Sequence, residues 1–262
     1  MTSAVVIKSA ELMQFIGVFL WPLFRIAGLI MTAPIFGAKT VPVRTRLGLS
    51  VAVTVLVMPL LPPGPAIDVF SPAAVMIIAM QLLIGVLMGF TLQLVLSAVV
   101  TGGQVIAMQM GLGFAAMVDP QNGAQTPVLS QFYVIMVVLV YLALNGHLVL
   151  FQVLVDSFTW MPVASTGLEA VDFHLLVRWA STVFSGAIGL AIPAIASLLI
   201  VNFTFGILTR AAPQMNIFAV GFPITMLLGF GVVFATIPSV IPQTSEMFTG
   251  AYELIRTLLD GG

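Results

Sequence analysis

Between Asp68 and Asp119 the chain carries no Asp, Glu, Lys, Arg or His, and a second charge-free run lies between Arg178 and Arg210. In water both runs would have to be buried on every side. A chain of 262 residues with only 6% charged residues has too little polar surface to do that. With a mean hydropathy of +1.19, the runs read as membrane helices, each needing about 20 apolar residues to cross a bilayer. Six candidate spans emerge, at roughly 12–33, 46–61, 74–100, 128–155, 178–208 and 216–240. The second is short and is ended by Pro62, Pro63 and Pro65. Pro22, Gly85, Gly89, Pro193, Pro223, Gly229 and Gly231 fall inside spans. Such residues are tolerated where neighbouring helices re-satisfy the freed backbone groups. The fold class expected is all-α: a polytopic membrane protein of helical hairpins, with 1–262 as one domain.

Lys8 is followed by a long apolar run that lacks a small-residue cleavage site and contains Arg25. It reads as a retained membrane segment rather than a cleaved leader. Loop 34–46 holds Lys39, Arg44 and Arg46 and no acid, which places it in the cytoplasm. Loop 62–73 has only Asp68, and loop 156–177 has Asp156, Glu169 and Asp172. Alternation then puts both termini outside and the loops near 40, 110 and 210 inside. The tail 243–260 has Met247, Tyr252 or Ala251, Leu254, Ile255 and Leu258 at helical spacing. It reads as an amphipathic helix lying on lipid or against a partner subunit.

Several chemistries are missing. There is no phosphate-binding loop or dinucleotide fingerprint, and no cysteine for disulfides or thiolate metal sites. The net charge of −1 comes without a basic stripe, which argues against nucleic acid. His147 and His174 lie far apart, and the Asp156–Ser157 pair has no third triad member. No catalytic residue, metal ligand or cofactor is expected. Arg25 is the one clearly mid-span charge and reads as a packed or snorkelling residue, or as a substrate ligand. Amides recur on the apolar spans, among them Gln81, Gln93, Asn145 and Asn202, and "GVLMG" at 85–89 is a small-xxx-small pair. Both are devices for packing helices closely, whether from this chain or others.

The stretch "GGQVIAMQMGLGFAAMVDPQNG" at 102–123 is too rich in glycine for a comfortable membrane helix and too apolar for a surface loop. Met108, Met110 and Met117 are adaptable fillers. Gly111 and Gly113 allow unusual backbone angles, and Leu112 and Phe114 supply apolar bulk. Asp119, Pro120, Asn122 and Gly123 are turn chemistry. On composition alone a movable plug and a static re-entrant packing segment fit equally. "APQMNIF" at 212–218 offers Pro213, Gln214 and Asn216 for a tight turn or a cytoplasmic subunit contact.

Three stretches resemble the FliR family in its order and spacing. They are "RIAGLIMTAPIFGAKTVPVRTRLGLSVAVT" at 25–54, "QMGLGFAAMVDPQNGAQTPVLSQFY" at 109–133 and "APQMNIFAVGFPI" at 212–224. The central wording is similar to the flagellar branch rather than the injectisome branch. The resemblance implies a subunit of the bacterial flagellar type III export gate, in the inner membrane at the basal body. It implies FliP-like and FliQ-like partners, an FlhB-like neighbour, and unfolded flagellar subunits as cargo. It also favours the plug for loop 101–127, with the seal made by Met108, Met110, Gly111, Leu112, Gly113, Phe114 and Met117. The alternatives are an injectisome homologue and a stand-alone small-solute transporter.

Overall fold

The computed structural model describes residues 9–38, 40–65, 67–112, 128–164, 167–211 and 217–260. Among these, the elements are α1 (Ser9–Thr32), α2 (Val43–Val57), a 3₁₀ turn (Met58–Leu60), α3 (Pro72–Gln109), α4 (Val128–Ala143), α5 (Gly146–Trp160), α6 (Ala170–Trp179), α7 (Thr182–Ala211) and α8 (Ile217–Asp260). The described residues contain no strand, and the architecture is that of an all-α polytopic membrane protein. Four stretches are long and apolar enough to cross a membrane: Val43–Leu60, Pro72–Gln109, Asp172–Ala211 and Pro223–Asp260. Ile16–Thr32 is a shorter apolar helix, and α4 with α5 forms a broken pair.

Three boundaries differ from the sequence reading, each for a local reason. The span drawn at 128–155 is two helices, because Asn145 takes φ 58°, in the left-handed region, and interrupts the ladder. Asparagine adopts that region more readily than other non-glycine residues. The proposed loop 156–177 contains α6, started by a reciprocal cap in which the Glu169 N–H donates to Asp172 Oδ2 at 2.7 Å. The tail 243–260 is not a separate helix but the end of α8, which runs through Pro223, Pro238 and Pro242.

Close contacts group the chain into two compact units. The first comprises Met1–Gln93, Asn145–Ala180 and Gly250–Gly262; the second comprises Leu94–Leu144 and Ser181–Thr249. The first unit is organised by a seam between α1 and α3. A Cβ on Gly28 would lie 2.6 Å from the Leu82 carbonyl oxygen. One on Gly85 would overlap the Arg25 carbonyl, and one on Gly89 would sit 2.7 Å from the Ala33 nitrogen. Only hydrogen fits at these positions, so "GVLMG" is a seam of backbone contact within one chain. Ile26, Leu29, Ile30, Ile84, Met88 and Leu92 are buried along it.

Arg25 leaves the same seam and is fully buried. Its Nε donates to Gln81 Oε1 at 2.8 Å, and Nη1 donates to the Ser157 carbonyl at 2.8 Å and to Ser157 Oγ at 3.1 Å. Nη2 donates to the Met161 carbonyl at 2.8 Å, and the guanidinium lies 4.1 Å from the centre of the Phe158 ring. Arg25 is thus packed, not snorkelling. The last turns of α8 close the unit. Ala251, Ile255, Leu258 and Leu259 are buried, and Tyr252 donates to the Gly146 carbonyl at 2.9 Å. Ala251, Ile255 and Leu258 of the apolar face read from 243–260 therefore cover this chain's own core, while Met247, Tyr252 and Leu254 are half-buried.

In the second unit, Gly102 on α3 faces the Ala187 carbonyl and Leu190, while Gly103 faces the Ser130 backbone. Residues 101–109 are helical for this reason: the glycines that argue against a lone helix are what let α4 and α7 approach. Tyr141 and Phe248 stack with ring centres 4.7 Å apart.

Replacing Gly85 with Val should separate α1 from α3, costing about 1–3 kcal/mol or more. Gly48 on α2 has nothing within 4 Å of its Cβ position, so Gly48→Ala should be neutral or gain about 0.5–1 kcal/mol. Thermal unfolding of the detergent-purified chain checks the pair. Equal midpoints for the two variants would contradict the seam.

Candidate functional site

The central segment begins where α3 ends, and the ending is built from the backbone outwards. Leu112 N–H donates to the Ala107 carbonyl and Gly111 N–H to the Met108 carbonyl, each at 3.0 Å. This nested pair is a Schellman termination, which needs a left-handed residue after the cap. Gly111 supplies it with φ 80°, a conformation glycine reaches without steric cost.

The methionines flanking this turn are not equivalent. Met110 is fully buried, and a Cβ on Gly229 of α8 would come within 2.7 Å of its side chain. Met110 is therefore a wedge that anchors the end of α3 to α8. Met108 is 60% exposed and is free to meet something else.

Leu112 opens onto a groove of about 410 Å³. Its other walls are Val128, Leu129 and Phe132 of α4 and Phe230, Val233, Phe234 and Ile237 of α8. These α8 residues follow an i, i+3, i+4, i+7 pattern, so the signal for the groove is present in the sequence. Gly113, Phe114, Met117, Asp119, Pro120, Asn122 and Gly123 lie outside the described residues, as do Pro213, Gln214 and Asn216. What the structure brings together is Met110 and Gly111 at the end of α3 with Leu112 on the wall of an apolar groove.

The basic loop divides similarly. Arg46 is spent on its own turn: Nη2 donates to the Ala38 carbonyl at 2.7 Å and Nε to the Val41 carbonyl at 3.0 Å. Arg44 is exposed, and Lys39 lies outside the described residues. Among the described residues, no group of three or more His, Asp or Glu side chains could hold a metal ion. Ser157 is engaged structurally, donating to the Leu154 carbonyl at 2.6 Å while accepting from Arg25.

Comparison with known proteins agrees along nearly the whole length. The chain is 36% identical over 253 residues to the flagellar biosynthetic protein FliR of Escherichia coli K12, covering 97% of each. It is 36% identical over 252 residues to the protein of the same name from Pectobacterium carotovorum, covering 96% of each. The Bacillus subtilis protein of that name is 28% identical over 244 residues, covering 92% of this chain and 94% of its own. The family described as "Bacterial export proteins, family 1" matches residues 16–251, and the chain belongs to that family.

Proposed function

We propose that this chain is a core subunit of the bacterial flagellar type III export gate, in the inner membrane at the basal body, where it helps form and seal the channel for unfolded flagellar subunits. The family and the names of its full-length relatives support this reading. The structural observation that carries it is a mismatch of length. α3 holds 38 residues without a charge, about 57 Å at the helical rise. A bilayer core is about 30 Å thick. Much of this apolar helix would therefore extend past the lipid, where protein must cover it. Val75, Met76, Leu82, Leu83 and Phe90 of α3 remain exposed in the single chain, as do Phe184, Ile188, Ile192, Leu199 and Phe203 of α7. Such faces fit FliP-like and FliQ-like helices, with an FlhB-like subunit beside them and Pro213, Gln214 and Asn216 as a further contact. The loop with Lys39, Arg44 and Arg46 faces the cytoplasm. The work is positioning and sealing, with no cofactor and no catalytic residue.

A tagged copy expressed with its operon neighbours should give a multi-chain complex by native mass measurement, with one copy of this chain. Recovery only as a stable single chain that moves a small solute would favour a stand-alone transporter.

The seal is assigned to 106–118, with the labour divided. Met110 anchors, Gly111 turns, and Met108, Leu112, Gly113, Phe114 and Met117 supply the apolar bulk of the seal. Met110→Ala should cost about 2–5 kcal/mol, as other buried large-to-small changes do, and lower complex yield. Met108→Ala, at an exposed site, should stay within about 0.5 kcal/mol. Removing 113–118 should leave yield near normal and raise the passage of ions or small solutes. Yield and leak measured side by side decide the matter: a well-assembled deletion as tight as the parent would place the seal elsewhere.

A further inference from the structure

We propose that Arg25 is a positioning residue: its charge, held by helix-end carbonyls rather than by a carboxylate, fixes the end of α5 and the connection after it against α1 and α3. Among the described residues, none of the groups hydrogen-bonded to Arg25 is an acid. Two of its acceptors are the carbonyls of Ser157, in the last turn of α5, and of Met161, immediately beyond it. The last carbonyls of a helix carry the negative end of its dipole; the Ser157 carbonyl also accepts from the Met161 N–H at 3.0 Å, while the Met161 carbonyl lies past the end of the intrahelical ladder. A guanidinium aimed at them satisfies several acceptors and places positive charge where the helix favours it. The planar fork reaches Gln81 Oε1, Ser157 and Met161 at once, which a point-like ammonium cannot do as well. These partners lie 56, 132 and 136 positions along the chain, so one side chain ties three distant elements together.

One feature of the site is incomplete. Accepting from Arg25 fixes the Gln81 amide, and its buried Nε2 is left without a partner. The node thus holds an unused donor beside a cation. A carboxylate at position 81 would replace that donor with a second acceptor and could take the guanidinium in two parallel hydrogen bonds.

The test uses the full chain carrying Arg25→Lys, Arg25→Gln, Arg25→Met or Gln81→Glu. The thermal midpoint of the purified chain and its yield in the assembled complex are read for each, and export of a reporter substrate is scored per complex. The first two readings do not depend on the export reading, so its failure would be visible separately. If charge at the α5 end is what matters, Lys should retain more folded protein than Gln or Met. The neutral variants should then lose about tenfold or more, the scale expected when buried acceptors go unpaired. Gln81→Glu should match or exceed the parent. A purely packing role predicts the reverse order, with Met the best substitute, and that order overturns the proposal. Should Lys fail because the ammonium cannot span the acceptors, Arg25→Lys combined with Gln81→Glu discriminates. Recovery above Met supports the charge requirement, and no recovery overturns it.

Discussion

The approach of α1 to α3 is the contact on which the first unit depends. Gly28, Gly85 and Gly89 carry no side chain where the two backbones meet. That closeness lets Arg25 leave the seam and reach the end of α5 without exposing its charge. Were the helices pushed apart by one methyl group, the guanidinium would lose its geometry and its acceptors would stay buried. An unpaired buried acceptor costs more than a formed hydrogen bond contributes. Apolar packing and a buried cation are therefore coupled here, although sequence gives them separate signals: a glycine pair, and a lone arginine in an apolar helix.

The second unit repeats the device for a different end. Gly102 and Gly103 let α4 and α7 close on α3, and Gly229 makes room for Met110. The effect is to hold the terminus of α3 firmly up to Gly111 and to open an apolar groove beyond it. A sealing segment needs such an arrangement. Its root must be rigid enough to return to one place, and its apolar tip must fill a narrow passage without making permanent bonds. In the proposed gate, the exposed apolar faces of α3 and α7 are surfaces for neighbouring helices.

Much of this was legible in the sequence, because membrane helices are written in long charge-free runs. The spans corresponding to α3 and α7, the proline end of α2 and the close seam at 85–89 all follow from local composition. The misses came from tertiary context overriding local propensity. Gly102 and Gly103 read as loop-forming, yet they are packing positions in a helix. Asn145 read as one more polar amide on a span, yet its left-handed backbone splits that span. Arg46 reads as a basic charge, and it also bonds the Ala38 and Val41 carbonyls. Ile35 carries φ 73°, which no rule for a β-branched residue would anticipate. The three central methionines looked alike in sequence; only burial separates the anchoring Met110 from the exposed Met108. The likeness in the 109–133 stretch pointed to the family, while the different burial of Met108 and Met110 required coordinates.

In the proposed gate, the end of α3 borders the path taken by exported chains. The chain contains no cysteine, so a single Met108→Cys change gives a unique, exposed reporter at that end. In assembled complexes holding a substrate stalled midway, a short thiol-reactive cross-linker should join this position to the substrate, and the product should vanish when substrate is withheld. Efficient labelling of the cysteine in an assembled, substrate-loaded complex, with no cross-link to the cargo, would contradict the account.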